Sequence, residues 1–310
     1  MRAASGWLLI KTKKVTGDEM IGSQRLNTRV PVPRRLTGLL VALAMIVSGC
    51  ALSFGYRHAD WLISRQLDHY LDLTSNQRGI VKARLQPLLL RHRQEALPQY
   101  EQFLKDLQSR VSRGLAPADV DWTFASYDHF RVDLFERAIP EGSQLIGLLK
   151  DKQIRYLERV FRTEEAQAER QIQGPAAARL DERTKKGLSL AEDWLGSLSG
   201  EQSRRLRELI RALPDSQPVW WGYRRQRHEE LLALLRSPLP PEQLTGTLRK
   251  MFVHPDQSAP AAYLSMTADM RAALTRLVLE LDRMLTPVQR RHALRSIQKV
   301  IDDLHALARS

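Results

Sequence analysis

Apolar residues recur at steps of three and four through most of this chain, and that spacing admits one kind of fold. Near the C-terminus Leu294, Ile297, Ile301, Leu304 and Ala308 advance by 3, 4, 3 and 4 residues. Just before them Met270, Leu274, Leu277, Leu281 and Met284 advance by 4, 3, 4 and 3. Each set draws one stripe along a helix and leaves charged residues opposite. Ile154, Leu157, Phe161, Ala168 and Ile172 mark a third helix, whose other faces carry Arg155, Glu158, Arg159, Arg162, Glu165 and Glu169. No stretch sustains the two-residue alternation of a half-buried strand, and glycine falls mainly at junctions. The spacing predicts an all-α, multi-helix bundle of antiparallel helical hairpins. Further helices are expected near 57–71, 75–95, 99–113, 118–138, 176–196, 200–212, 217–236 and 241–252. Breaks are expected at Pro98, Pro140, Gly174-Pro175, Pro214 and Pro238 to Pro241. The short Leu285-Thr286-Pro287 break should fold the last two helices into an antiparallel hairpin.

Several of these helices begin alike. Leu73-Thr74-Ser75-Asn76-Gln77, Leu198-Ser199-Gly200-Glu201-Gln202 and Leu285-Thr286-Pro287-Val288-Gln289 share Leu-Ser/Thr-x-x-Gln. Leu149 to Gln153 and Leu239 to Gln243 match it without the hydroxyl. A Ser or Thr N-cap accepts a backbone N–H, while Gln three residues on accepts the cap's own N–H. Pro287 falls at the first helical position, where its missing N–H is harmless. The leucines precede Arg78, Ser203 and Arg290 at the staple-partner position, so they should pack into the bundle rather than on their own helices. The pattern resembles the LTxxQ motif of small helical periplasmic stress proteins, some of which are ATP-independent chaperones. The plainer reading is a set of good capping boxes.

The N-terminal segment carries an address. Arg25, Arg29, Arg34 and Arg35 precede an apolar run, Leu39 to Val47, which ends in Ser48-Gly49-Cys50 around the chain's single cysteine. A basic region, a short apolar run and a small-residue cleavage site make a secretory signal. Leu36 to Val47 is shorter than the roughly 17–25 residues that span a bilayer. Val47-Ser48-Gly49-Cys50 resembles the lipobox of bacterial lipoproteins. The resemblance implies cleavage between Gly49 and Cys50, diacylglycerol on the Cys50 sulfur and an acyl chain on its new amino group. No other cofactor is expected. Residues 1–49 would be the signal peptide, with Met20 an alternative start leaving a tidier basic region. Residues 50–56 would be a lipidated tether and 57–310 a helical periplasmic domain. Ala51, where an aspartate would signal inner-membrane retention, favours a periplasm-facing location on the outer membrane.

The signal reading also changes the charge. The whole chain carries a formal +13, but residues 1–49 hold eight Lys/Arg and two Asp/Glu, leaving 40 and 33 and a formal +7. Acids are interspersed throughout, so nucleic acid is not an expected partner. Anionic lipid, cell-wall polymer and other envelope proteins are.

Tyr56-Arg57-His58-Ala59-Asp60-Trp61-Leu62, Gln66 to Thr74, and His92 to Tyr100 resemble the opening of an uncharacterised family of proteobacterial lipoproteins. That resemblance implies architecture and location and brings no activity.

Candidate chemistry is sparse. Asp68 and Asp72 share a helix face, and with Asp60 they could bind a cation or do acid–base work. Arg57, Arg65 and His69 stand close enough to neutralise them, which is the structural alternative. Trp61, beside Asp60, joins the binding candidates. Trp220, Trp221, Tyr223, Arg224 and Arg225 could stack on sugars or sit at a membrane interface. Alternatively Trp220, Tyr223, Arg227, Leu231 and Leu234 form an ordinary core stripe. The eight histidines show no metal-ligand spacing, and no phosphate loop or nucleophile elbow occurs. The expectation is a lipid-anchored, non-enzymatic helical protein with a chaperone-like or scaffold role. The alternatives are an envelope hydrolase or metal-dependent enzyme using Asp60, Asp68 or Asp72, and a module binding anionic lipid or cell-wall polymer.

Overall fold

A computed structural model of the chain describes residues 54–237 and 239–310. Cys50, Gly49 and the expected signal peptide lie outside the described residues. Among the described residues there are eleven α-helices and no strand: α1 Ala59–Leu71, α2 Ser75–Glu95, α3 Leu97–Arg113, α4 Pro117–Ile146, α5 Asp151–Gln173, α6 Ala176–Leu195, α7 Gly200–Arg211, α8 Gln217–Arg236, α9 Pro241–Phe252, α10 Ala261–Arg283 and α11 Pro287–Ala308. No helix among them is long and apolar enough to cross a membrane. The all-α, multi-helix class read from the spacing is the observed one.

The predicted stripes become the core. Ile297, Ile301 and Leu304 of α11 pack with Leu97 and Leu104 of α3. Ile154, Leu157 and Phe161 of α5 pack with Leu232 and Leu235 of α8. Ala191 and Leu195 of α6 join Leu206 and Ile210 of α7 and Ala293 of α11. At Gly187 of α6 a Cβ would stand 2.5 Å from Ile210 Cδ1, so glycine is what lets α6 and α7 approach so closely.

Two expectations are corrected. Pro140 does not end a helix; it lies inside α4, as Pro87 lies inside α2. Both prolines sit at exposed positions, where water can take the carbonyl that the missing N–H leaves free. The α10–α11 pair meets at its turn, but each helix finds its main partners elsewhere. α10 packs on α8, α7 and α4, while α11 packs on α3 and α6.

The Leu-Ser/Thr-x-x-Gln starts do more than cap. Thr74, Ser199 and Thr286 form full capping boxes with Gln77, Gln202 and Gln289, and Gln153 accepts the Lys150 N–H at 3.2 Å. The glutamines then pair across the fold. Gln77 and Gln153 donate to each other's Oε1 at 3.0 and 2.9 Å, and Gln202 and Gln289 do the same at 2.9 and 2.9 Å. Each Nε2 also reaches a carbonyl in the turn before its partner's helix. Gln77 donates to Leu148 and Gln153 to Leu71; Gln202 donates to Met284 and Gln289 to Ser197. All four side chains are buried. The fifth match fails for a simple reason. Its N-cap is Pro240, which has no N–H for Gln243 to accept, and Gln243 is exposed.

These two clamps expose an internal repeat. α1 packs on α2 and α5, and α2 on α4; α6 packs on α7 and α11, and α7 on α10. The turn after α1 contains Asp72 at φ 45°, and the turn after α6 begins with Gly196 at φ 80°. Both positions need the left-handed region that Gly adopts freely and Asp tolerates. Leu73 is 1% exposed, and Leu149, Leu198 and Leu285 pack against core clusters, as the motif's leucines were expected to do.

Candidate functional site

The acids on α1 are the first candidates, and they do not gather into a site. Asp68 Oδ1 accepts the Leu73 N–H at 3.2 Å and pairs with Arg78 at 3.3 Å. Its partner is therefore the arginine that follows the capping box, not Arg57, Arg65 or His69. The same device recurs at the other end of the repeat, where Asp282 pairs with Arg290 at 2.8 Å. Asp72 serves as the left-handed C-cap of α1 and is exposed. Asp60 is half-buried near the helix start, and Trp61 is 51% exposed with Arg65 over its ring. Among the described residues no three His, Cys, Asp or Glu side chains converge as a metal site would require.

The aromatic candidates on α8 are core. Trp220, Trp221 and Tyr223 are buried against Ala168, Tyr263 and Met266. The Tyr223 hydroxyl donates to the Pro255 carbonyl at 2.9 Å. Further along α8 Leu232 and Leu235 are buried, while the expected Leu231 and Leu234 are half-buried and pack against core clusters beside them. Trp221 is buried too, which turns the helix slightly from the stripe that omits it. Arg225 is exposed.

Arg224 is the one α8 candidate that belongs to a polar cluster. Its guanidinium lies 4.9 Å from the Trp221 ring centroid and 5.3 Å from that of Trp220. It donates to Glu164 Oε2 at 2.6 Å, while the Tyr70 hydroxyl donates to Glu164 Oε1 at 2.6 Å. Arg224 Nε also donates to His228 Nε2 at 3.2 Å. His228 Nδ1 stands 2.7 Å from Glu165 Oε1, and its ring stacks on Phe161 with centroids 3.8 Å apart. An acceptor Nε2 places the proton of the neutral ring on Nδ1, facing Glu165. Helices α1, α5 and α8 thus meet through a continuous chain of donors and acceptors, from Tyr70 through Glu164, Arg224 and His228 to Glu165. Sequence reasoning missed Tyr70, Glu164, Glu165 and His228 as a group. The available signal was Arg224 and His228 four apart on one helix face, opposite paired glutamates.

Burial lowers the His228 pKa below its ordinary value, and the Arg224 charge adds to this; the Glu165 hydrogen bond opposes it. His92 is lowered by burial and by Arg137. It lies between the Tyr56 hydroxyl, 3.0 Å from Nδ1, and the Tyr100 hydroxyl, 3.3 Å from Nε2. Burial pushes Tyr100 up to about 12. Below the ordinary histidine value the unfolded chain binds protons that the folded chain refuses. The stability these rings contribute is therefore present above about pH 6.5 and is lost as pH falls, by up to about 1.4 kcal/mol per pH unit for each ring. Urea midpoints at about pH 7.5 and 5.5 should differ accordingly, and His228→Gln should shrink the difference. Equal midpoints for the unsubstituted protein would contradict the assignment.

An open surface cleft of about 630 Å³ contains none of the candidates; Arg205 and Glu280 in its lining pair with each other at 2.5 Å.

No curated relative and no solved structure matches this chain. The pattern of a family of unknown function (DUF6279) matches residues 69–264, from the end of α1 into α10. It takes in the Tyr70–Glu164–Arg224–His228 cluster and the first glutamine clamp. With more than half its length matched, the chain belongs to this family of unknown function, DUF6279.

Proposed function

We propose that this chain is a lipid-anchored helical protein of the bacterial envelope that acts by binding rather than by catalysis. In this reading Cys50 carries the lipid, the body faces the periplasm from the outer membrane, and other envelope proteins are its partners in a scaffold or chaperone-like role. One observation supports the non-catalytic part: the acids and bases that could do chemistry hold one another. Glu164 is taken by Tyr70 and Arg224, Glu165 by His228, and Asp68 by Arg78 and a backbone N–H. Asp68 is engaged by Arg78 and the Leu73 N–H, and among the described residues no three His, Cys, Asp or Glu side chains converge, so the metal-enzyme reading gains no support.

The address is tested by Cys50→Ser in the full chain. Labelled palmitate should enter the unsubstituted protein and not the variant, and the variant should leave the membrane fraction. A variant still processed and membrane-bound would overturn the anchor. Crosslinking in intact cells should then yield protein adducts, and undiminished aggregation of a client at stoichiometric excess would remove the chaperone version.

A further inference from the structure

Helix α1 has two unlike faces. Its inner side lies on α2 and α5, with Leu67 and Leu71 turned inward, yet none of its residues is fully buried. Its outer side presents His58, Trp61, Leu62, Arg65 and His69 in helical register, all exposed and none acidic. Trp61 is 51% exposed and Leu62 46%. Phe54, one turn earlier and 53% exposed, packs against His58 with ring centroids 4.4 Å apart and the ring planes tilted by 55°. Large aromatic and aliphatic side chains are normally withdrawn from water, and several on one short face beside arginines need a covering.

From this face we infer that α1 lies against the anionic headgroup layer of the membrane that holds the protein. The inference rests on the lipid-anchor reading of Cys50 and names what the adjoining helix does with it. Two arguments select the membrane over other occupants. First, Phe54 follows Cys50 by four residues, a reach of at most about 14 Å for an extended chain. The Tyr56 hydroxyl is fixed against His92 on α2, so this end of the body cannot drift far from the lipid. Second, the composition suits that depth. Tryptophan favours the headgroup level, and the arginines answer anionic phosphates while their stems stay in the apolar layer. Asp60 and Asp68 are half-buried at the flanks, and the exposed Asp72 caps only the far end of the helix, so the stretch from His58 to His69 presents no acid on its outer stripe.

The test uses the full lipidated protein in vesicles of phosphatidylethanolamine and phosphatidylglycerol, with spin-labelled lipid as quencher. A fluorophore is placed on Leu62→Cys and, as control, on Val288→Cys, an exposed position at the start of α11. Cys50, being acylated, does not react. Quenching at position 62 should exceed that at 288 by at least about threefold, and Arg65→Glu should reduce it while the protein still floats with the vesicles. Equal, weak quenching at both positions in protein that floats would overturn the inference and leave the anchor intact. A probe at 62 shielded from aqueous iodide yet unquenched by lipid would overturn it in favour of a second copy or a protein partner. Protein that does not float at all would overturn the anchor and the inference together.

Discussion

Gln153→Ala is expected to destabilise the protein by about 2–4 kcal/mol, a large effect for a residue that touches no ligand and no charge. The side chain is 2% exposed. Its removal strands the Lys150 N–H and the Leu71 carbonyl, and it takes away both bonds to Gln77. Buried groups left without partners lose their full solvation, and the vacated volume adds a cavity penalty. A double-mutant cycle with Gln77→Ala should return a coupling of at least about 1 kcal/mol, because the second deletion removes groups already orphaned. Gln289→Ala should repeat the result at the other clamp. Gln243→Ala, at the exposed failed match, should stay within about 0.5 kcal/mol. Urea unfolding of the four single variants and the one double variant decides it: similar midpoints for Gln153→Ala and Gln243→Ala would reduce the motif to local capping.

Asp282→Ala should cost a comparable amount, about 3 kcal/mol, by a different route. Its carboxylate is 8% exposed, accepts the Leu115 N–H at 3.0 Å and pairs with Arg290 at 2.8 Å. Arg290 in turn donates to the Val111 carbonyl at 2.5 Å. One carboxylate therefore joins the end of α10, the loop after α3 and the first turn of α11. Removing it leaves a mostly buried guanidinium facing carbonyls alone. Replacing both partners, as Asp282→Ala with Arg290→Met, should recover part of the loss, since no unpaired charge remains. Equal stability of the single and double variants would show that the backbone bond to Leu115, not the charge, carries the effect.

These cases mark where sequence reading works and where it stops. Helix positions, the burial of Leu73 and the capping role of Gln77, Gln202 and Gln289 follow from local spacing, because a helix sets its own period and closes its own first turn. Which turn meets which is not local. Nothing in Leu73 to Gln77 names Leu149 to Gln153 as its counterpart across the fold. Pro140 shows the converse limit, since whether a proline breaks a helix depends on the side it faces. The Asp68–Arg78 pair was hidden by proximity: nearer basic residues invited the pairing, but the turn between α1 and α2 brings a later one into reach. Trp220 and Trp221 admit two readings in the sequence, a surface beside arginines or an ordinary core stripe. In the fold the rings go inward, and Arg224 follows them as far as Glu164.

The clamps also order events in time. One closes between residues 77 and 153, 76 apart, and the other between 202 and 289, 87 apart. Their loops neither overlap nor interlock. A chain delivered from its N-terminus can shut the first clamp while everything beyond α5 is still arriving, and the second needs nothing from the first. The α3–α11 core is different, because it joins an early helix to the last one. It waits for the end of the chain, so the apolar face of α3 stays uncovered longest. During delivery, that face is where an unfinished molecule is most exposed to aggregation.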